Sequence, residues 1–366
     1  ASYGIGGNIG RNTAPYLIAS YYDSSLVDGM AGSVNTPPNK DIRWEKTTTV
    51  NVGVDFALFR HRLSGTIEYY NKYSVDLLAA INGSPTQGFG YTTLMTNNGK
   101  MVNRGVEITL SGEIIRQKDF SWNASLLYAF NRNKVKHISV QPSLWDSRIS
   151  MPTSYPMVGK PLYGIYAYKW AGLNENGDPQ VYDAENNVTS GPARDYHALV
   201  YCGTTVPIHN ASLTNVLRYK GFEFSAMLIL DAGHKLRSSN IPSINMSNGR
   251  ITSTAKGIVD RWTQPGDVTD VPRLLFSNDT ENFNTHRTEL YRYSDLFVYD
   301  ASNIRLSNIS LAYRVPAHWC KKISLSGARL QFNVENVATF AFDSKANYDL
   351  GGKVKPNYVW GLYLNF

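Results

Sequence analysis

Polar and apolar residues alternate along much of this chain with a period of two, the pattern of strands that meet different surroundings on their two faces. Between Trp44 and Leu58, the residues Val50, Val52, Val54, Phe56 and Leu58 fall on one face, and Thr49, Asn51, Gly53 and Asp55 on the other. The same alternation predicts strands over 62–73, 102–114, 120–130, 213–219, 222–232, 304–315, 328–337 and 358–366. A further strand end over 1–4 brings the expected number to about ten. In the run 304–315 the apolar phase shifts near Leu306-Ser307, which predicts a β-bulge there.

The connections sort into two kinds. Phe59-Arg-His61, Arg116-Gln-Lys-Asp119 and Lys220-Gly221 are tight hairpins, and a medium turn begins at Pro316. Long connections follow the strands that begin at Arg62, Phe120, Phe222 and Ala328. Short and long alternate. A soluble sandwich has no reason to segregate them, whereas an all-β transmembrane antiparallel barrel does, with short periplasmic turns and long extracellular loops. Strand parity then puts the C-terminus on the periplasmic side.

The chain ends on Tyr358, Trp360, Leu362, Leu364 and Phe366, all on one face of the last strand. Such a stripe asks for lipid or a buried partner, an ordinary final strand of a soluble sandwich being the alternative. It resembles the C-terminal signal that the barrel-assembly machinery of bacterial outer membranes reads, which implies that machinery and outer-membrane lipid as partners.

Composition agrees with strands in a membrane. The chain has 366 residues, 42% of them hydrophobic, 18% charged and 24 of them Tyr, and no apolar run approaches the roughly 18 residues that a spanning helix needs. The net charge of +7 is scattered through turns and loops rather than clustered, which fits a solvated or lipopolysaccharide-facing surface and no nucleic acid. Cys202 and Cys320 make no disulfide framework and are read as incidental. The start, Ala1-Ser-Tyr-Gly-Ile-Gly-Gly-Asn8, has neither an initiating Met nor a signal peptide, and the expectation is a chain that begins part-way through something longer.

Several segments carry a family resemblance. Trp44-Glu-Lys-Thr-Thr-Thr-Val-Asn-Val-Gly-Val-Asp-Phe56, Glu68-Tyr-Tyr-Asn71 and Asn97-Asn-Gly-Lys-Met-Val-Asn-Arg-Gly-Val-Glu107 resemble the C-terminal barrel half of SusC/RagA-family TonB-dependent transporters of Bacteroidetes. So do Tyr166-Ala-Tyr-Lys-Trp-Ala-Gly172, Gly177-Asp-Pro179, Arg261-Trp262 with Val271-Pro-Arg-Leu274, and Ile304 to Pro316, all in the expected order. The resemblance implies that residues 1–366 are the C-terminal part of a barrel of about 22 strands, with plug and N-terminal domains absent from this chain. It implies nutrient import of oligosaccharides or oligopeptides, a SusD-like lipoprotein partner, TonB contact through the absent plug, and a dimer of transporter–lipoprotein pairs. Two other classes stay open: a self-contained ten-stranded outer-membrane protease or lipase, for which Asp231, His234 and Asp300 are the residues to inspect, and a passive porin.

Candidate chemistry is sparse. Tyr91, Trp145, Tyr163 and Tyr348 lie on the long connections and are the candidate substrate-stacking residues, against a background in which most Tyr and Trp serve interfacial belts or loop cores. Trp262, after Ile258-Val-Asp-Arg261, is expected to follow a helical turn and to pin its loop. Asn174-Glu-Asn-Gly-Asp178 faintly resembles a calcium loop but lacks the acidic spacing. No metal site, cofactor or catalytic group is expected, since the seven histidines show no ligand spacing and no nucleophile, phosphate-loop or dinucleotide motif is present.

Overall fold

The computed structural model describes every residue except 11–14, 26–27, 37, 83–85, 87–92, 141–146, 192–194, 247–254, 277–284 and 351–354. Its main element is one ten-stranded sheet. The strands are β1 (Ser2–Asn8), β2 (Glu45–Leu58), β3 (Leu63–Asn82), β4 (Thr93–Arg116), β5 (Phe120–His137), β6 (His209–Tyr219), β7 (Phe222–Ala232), β8 (Asn303–Arg314), β9 (Gly327–Ala341) and β10 (Asn357–Asn365). Each pairs antiparallel with the next in sequence, and β1 and β10 are the two free edges. The sheet is an up-and-down meander, open rather than closed on itself.

Register carries the sequence alternation across the whole sheet. Val54, Ile67, Ile108, Tyr128, Ala211, Leu230, Ile304 and Phe340 are successive cross-strand partners, so one face is an unbroken apolar row. The row displaced by one residue runs Asp55, Thr66, Thr109, Leu127, Ser212, Ile229, Arg305 and Thr339. Ion pairs knit this second face. Arg218 Nε donates to Glu223 Oε2 at 2.7 Å, Arg329 reaches Glu223 Oε1 from two strands away at 3.1 Å, and Arg305 holds Asp231 Oδ2 at 2.8 Å. The predicted bulge is present, as the β8–β9 register shifts between Leu306 and Asn308.

The alternation predicts a long loop between Tyr73 and Met101, whereas β3 and β4 extend into this segment from both sides and pair out to Asn82 and Thr93. The register shifts between Ser74 and Leu78, Asp76 takes a left-handed φ of 57°, and Glu45 Oε1 accepts from the Leu78 amide at 2.8 Å. The alternation resumes out of phase beyond this bulge, so a period-two reading stops at it.

The buried core lies away from the sheet. Val52, Val54, Ile67, Leu330, Trp360, Leu362 and Phe366 on the apolar face are exposed, whereas Tyr166, Tyr168, Val181, Leu199 and Leu290 are buried together in the two longest connections, 138–208 and 233–302. A sheet with an uncovered apolar face, topped by a separately packed cap, suits a surrounding of lipid.

Candidate functional site

The cap is built from strands too short to stand alone. Gly164–Tyr168 pairs with Leu199–Thr204, Trp170–Leu173 with Pro179–Tyr182, and Lys235–Arg237 with Val298–Asp300. Tyr166 and Tyr168 alternate into the core, and the helix Thr285–Arg292 (α1) places Leu290 and Tyr291 against them and against Phe297. Polar ties then lock the two connections together. Arg237 donates to the carbonyl of Tyr166 at 2.7 Å, Trp170 N to Asp295 Oδ1 at 2.9 Å, and Trp170 Nε1 to Asp270 Oδ1 at 2.9 Å.

At the centre stands Asp178. Arg273 grips it with two bonds of 3.0 and 2.8 Å, and Arg287 Nε approaches Oδ1 at 3.1 Å. Arg287 is only 2% exposed and uses its remaining donors on the carbonyls of Ile244 and Arg273 and on Asn245 Oδ1. Burial pushes its guanidinium below the usual arginine range, with the Asp178 carboxylate opposing. Asn174 Oδ1, in the loop with a faint calcium likeness, accepts from the amides of Asn176 and Asp178, so its oxygens turn a hairpin while the Asp178 carboxylate is taken by guanidinium groups.

The 3₁₀ turn Lys256–Asp260 precedes Trp262, as expected, and the Trp262 ring lies over Gly177 so closely that a Cβ there would collide with it. Thr263 N, Thr263 Oγ1 and Gln264 N all donate to Asp267 and hold its carboxyl below the ordinary range. The motifs Gly177-Asp-Pro179, Arg261-Trp262 and Val271-Pro-Arg-Leu274 thus form one contiguous knot. Trp262 N bonds the Val271 carbonyl at 2.8 Å and Arg273 N the Gly177 carbonyl at 3.0 Å.

Of the four candidate substrate residues, Tyr91 and Trp145 lie outside the described residues. Tyr163 is 46% exposed at the start of the strand Gly164–Tyr168, where its carbonyl takes the Thr205 amide. Tyr348 is 51% exposed on the short helix Asn347–Leu350, which is docked by Ser238 and Ser239 donating to Asp349. These two have different neighbours, and neither lines the cleft that the sequence did not reveal. That cleft, of about 470 Å³, is walled by Arg237, Ser238, Ser239, Ile241, Pro242, Ser243, Thr288, Tyr291, Arg292 and Tyr293. Thr288 Oγ1 is buried in its wall without a partner. The lining comes from two segments that share no period or motif, so only folding discloses it.

Among the described residues, Asp231, His234 and Asp300 do not bond to one another. Asp231 is held by Arg305 and Asn210, Asp300 by Lys235 at 3.0 Å and by the Ser302 amide, and His234 Nδ1 is buried with no hydrogen-bond partner.

The model of the TonB dependent receptor-like β-barrel family matches residues 1–337. TonB-dependent receptor P3 of Formosa agariphila is 26% identical over 99% of this chain and 37% of that protein. TonB-dependent receptor SusC of Bacteroides thetaiotaomicron is 25% identical over 81% of the chain and 29% of that protein. In fold, the chain is similar to the structure of the RagAB peptide transporter, with a TM-score of 0.75 at 24% identity, covering 100% of this chain and 40% of that one. The chain therefore spans well under half the length of these relatives.

Proposed function

Because this chain belongs to the TonB-dependent receptor-like β-barrel family, we propose that it forms wall and extracellular cap of an outer-membrane importer of oligosaccharides or oligopeptides. The observation that carries this reading is the sheet itself: apolar outside, ion-paired inside, with all the large folded connections at one end. Lipid on one face and a watery lumen on the other account for both.

In this reading residues 1–366 are the C-terminal part of the barrel domain, the ten strands its wall and the long connections its cap, and further strands add to the free edges of β1 and β10, since an unpaired edge is untenable in hydrocarbon. The cap faces outward, the hairpins and the C-terminus face the periplasm, and the stripe Tyr358, Trp360, Leu362, Leu364 and Phe366 is what the assembly machinery engages. A SusD-like lipoprotein closes over the cap, TonB acts through a plug outside this chain, and the transporter–lipoprotein pair dimerises. Substrate meets the cap. Exposed Tyr163 and Tyr348, with Tyr91 and Trp145, supply stacking surfaces, and the cleft beside α1 offers hydroxyls and Arg292 next to apolar Ile241 and Pro242, a lining able to hold amides or sugar hydroxyls.

The test is uptake. Disrupting the gene in its native host should abolish growth on the cargo class that copurifies with the intact receptor and its neighbouring lipoprotein. Unimpaired growth on that cargo, or a purified receptor found outside the outer membrane, would sink the reading.

A further inference from the structure

Beyond the proposed transport role, and resting on its placement of the sheet in an outer membrane, the structure carries a second binding surface. It lies on the lipid-facing side near the cap. Arg104 of β4 and Arg132 of β5 are direct cross-strand partners, one position above Val106 and Phe130 on the apolar face. Lys134, the next residue of β5 on that face, is partnered with Val102.

Like charges directly opposite each other on a sheet repel, and nothing described neutralises these. Arg104 donates only to the neutral Asn71 Oδ1 at 2.9 Å, and none of the ion pairs among the described residues includes Arg104, Arg132 or Lys134. All three are exposed. Beside them the connection 159–160 is bonded to the backbone of Val135, and Arg132 and Lys160 share the wall of a hollow of about 150 Å³ with Tyr201 and Thr204. On the inward face Arg218, Arg305 and Arg329 each hold a carboxylate, while Lys72 and Arg314 are in none of the ion pairs among the described residues. What sets Arg104, Arg132 and Lys134 apart is their place on the apolar face, directly above Val106, Ile108, Tyr128 and Phe130, where uncompensated cations suit an anion that arrives with hydrocarbon attached.

We infer that Arg104, Arg132 and Lys134, with Lys160 at their flank, form a binding site for the phosphorylated headgroup of an outer-leaflet glycolipid. Its acyl chains lie along Val106, Ile108, Tyr128 and Phe130, and the guanidinium groups give the phosphates bidentate donors.

The intact receptor, in nonionic detergent, is titrated with bisphosphorylated lipid A and with its dephosphorylated form, and bound lipid is counted by native mass spectrometry. Losing the two arginines in Arg104→Gln/Arg132→Gln should weaken the phosphorylated lipid by about fivefold per charge. Arg104→Lys/Arg132→Lys should keep most of the binding, and wild type should take the dephosphorylated lipid poorly. Equal binding of both lipids, unchanged binding by the Gln variant, or displacement by inorganic phosphate at matched concentration would each overturn the site. A folded-barrel mobility shift on unheated gels verifies each variant. Failure of the wild-type receptor to enter bilayer vesicles is a different result, because it would remove the membrane reading together with the site.

Discussion

Asp178 and Arg287, residues from two different connections, meet at 3.1 Å with the arginine 2% exposed. That contact, doubled by Arg273, holds the cap together across its two halves. Removing the carboxylate leaves the buried Arg287 guanidinium charged with only neutral acceptors around it, which costs about 3 kcal/mol. Asp178→Asn should therefore loosen the cap while leaving the sheet paired. Hydrogen exchange on the full-length receptor checks this: amides of 164–182 and 285–300 should lose protection while those of β4 to β8 keep theirs.

Gly177 has a φ of +73° and faces the Trp262 ring. Alanine there adds both backbone strain and a collision, since the left-handed region disfavours a Cβ and the ring fills its space. Gly177→Ala should displace Trp262 and red-shift its fluorescence, whereas Gly172→Ala, also at positive φ but with open space around it, should carry only the backbone cost of about 1–2 kcal/mol. Equal spectral effects from the two variants would contradict the packing described.

Burial, with Asp295 adding to it, pushes the Cys202 thiol up to about 11. At pH 8 roughly 0.1% of such a thiol is thiolate, against about a quarter for an unperturbed one. Iodoacetamide should label Cys202 about a hundredfold more slowly in the folded receptor than after urea unfolding, as followed by peptide mass spectrometry.

Much of this architecture was legible because the sheet obeys one rule over most of its length. Val50 to Leu58 and Trp122 to Leu126 alternate visibly, since lipid and lumen demand opposite chemistries on successive residues, Phe222 to Leu230 does so only in its first half, and the Leu306 bulge announced itself as a phase change. The rule failed where the backbone did. Asp76 in a left-handed conformation breaks the phase between Ser74 and Leu78, and β3 and β4 could not be followed past it. The cap was legible only as a set of motifs. Gly177-Asp178, Trp262 and Arg273 stand far apart in sequence, and their meeting depends on long-range packing that no local period encodes. The cleft beside α1 was invisible for the same reason, and the aromatic residues Tyr163 and Tyr348 stood out merely for their type.

His234 is 9% exposed with an unpartnered Nδ1, and burial lowers its pKa from 6.5 although Asp231 and Asp300 pull the other way. A group whose folded pKa lies below its unfolded value binds more protons unfolded, so stability rises with pH through that window. The junction of β7 with the cap should hold fully above pH 6.5 and weaken as pH falls below it. Protease nicking near residue 234, measured between pH 7.5 and 5, should increase on acidification in wild type and be flat in His234→Gln.

Ile108 and Thr109 are adjacent in β4 but face opposite ways, Ile108 between Ile67 and Tyr128 on the apolar row and Thr109 between Thr66 and Leu127 on the other. If lipid bathes the first face, an arginine at 108 must either enter hydrocarbon or snorkel past Arg104, at a cost of about 2–4 kcal/mol near mid-bilayer. At 109 the same side chain enters a watery interior already populated by Asp55, Glu107 and Asp231, where its cost should be close to zero. Ile108→Arg should thus lower the urea midpoint of the full-length barrel in lipid vesicles, and Thr109→Arg should leave it in place. In detergent micelles, which deform around a charge, the gap between the two variants should narrow. Were the sheet instead half of a soluble sandwich, both faces would depend on protein packing, and changing vesicles for micelles would not alter the ranking or its size.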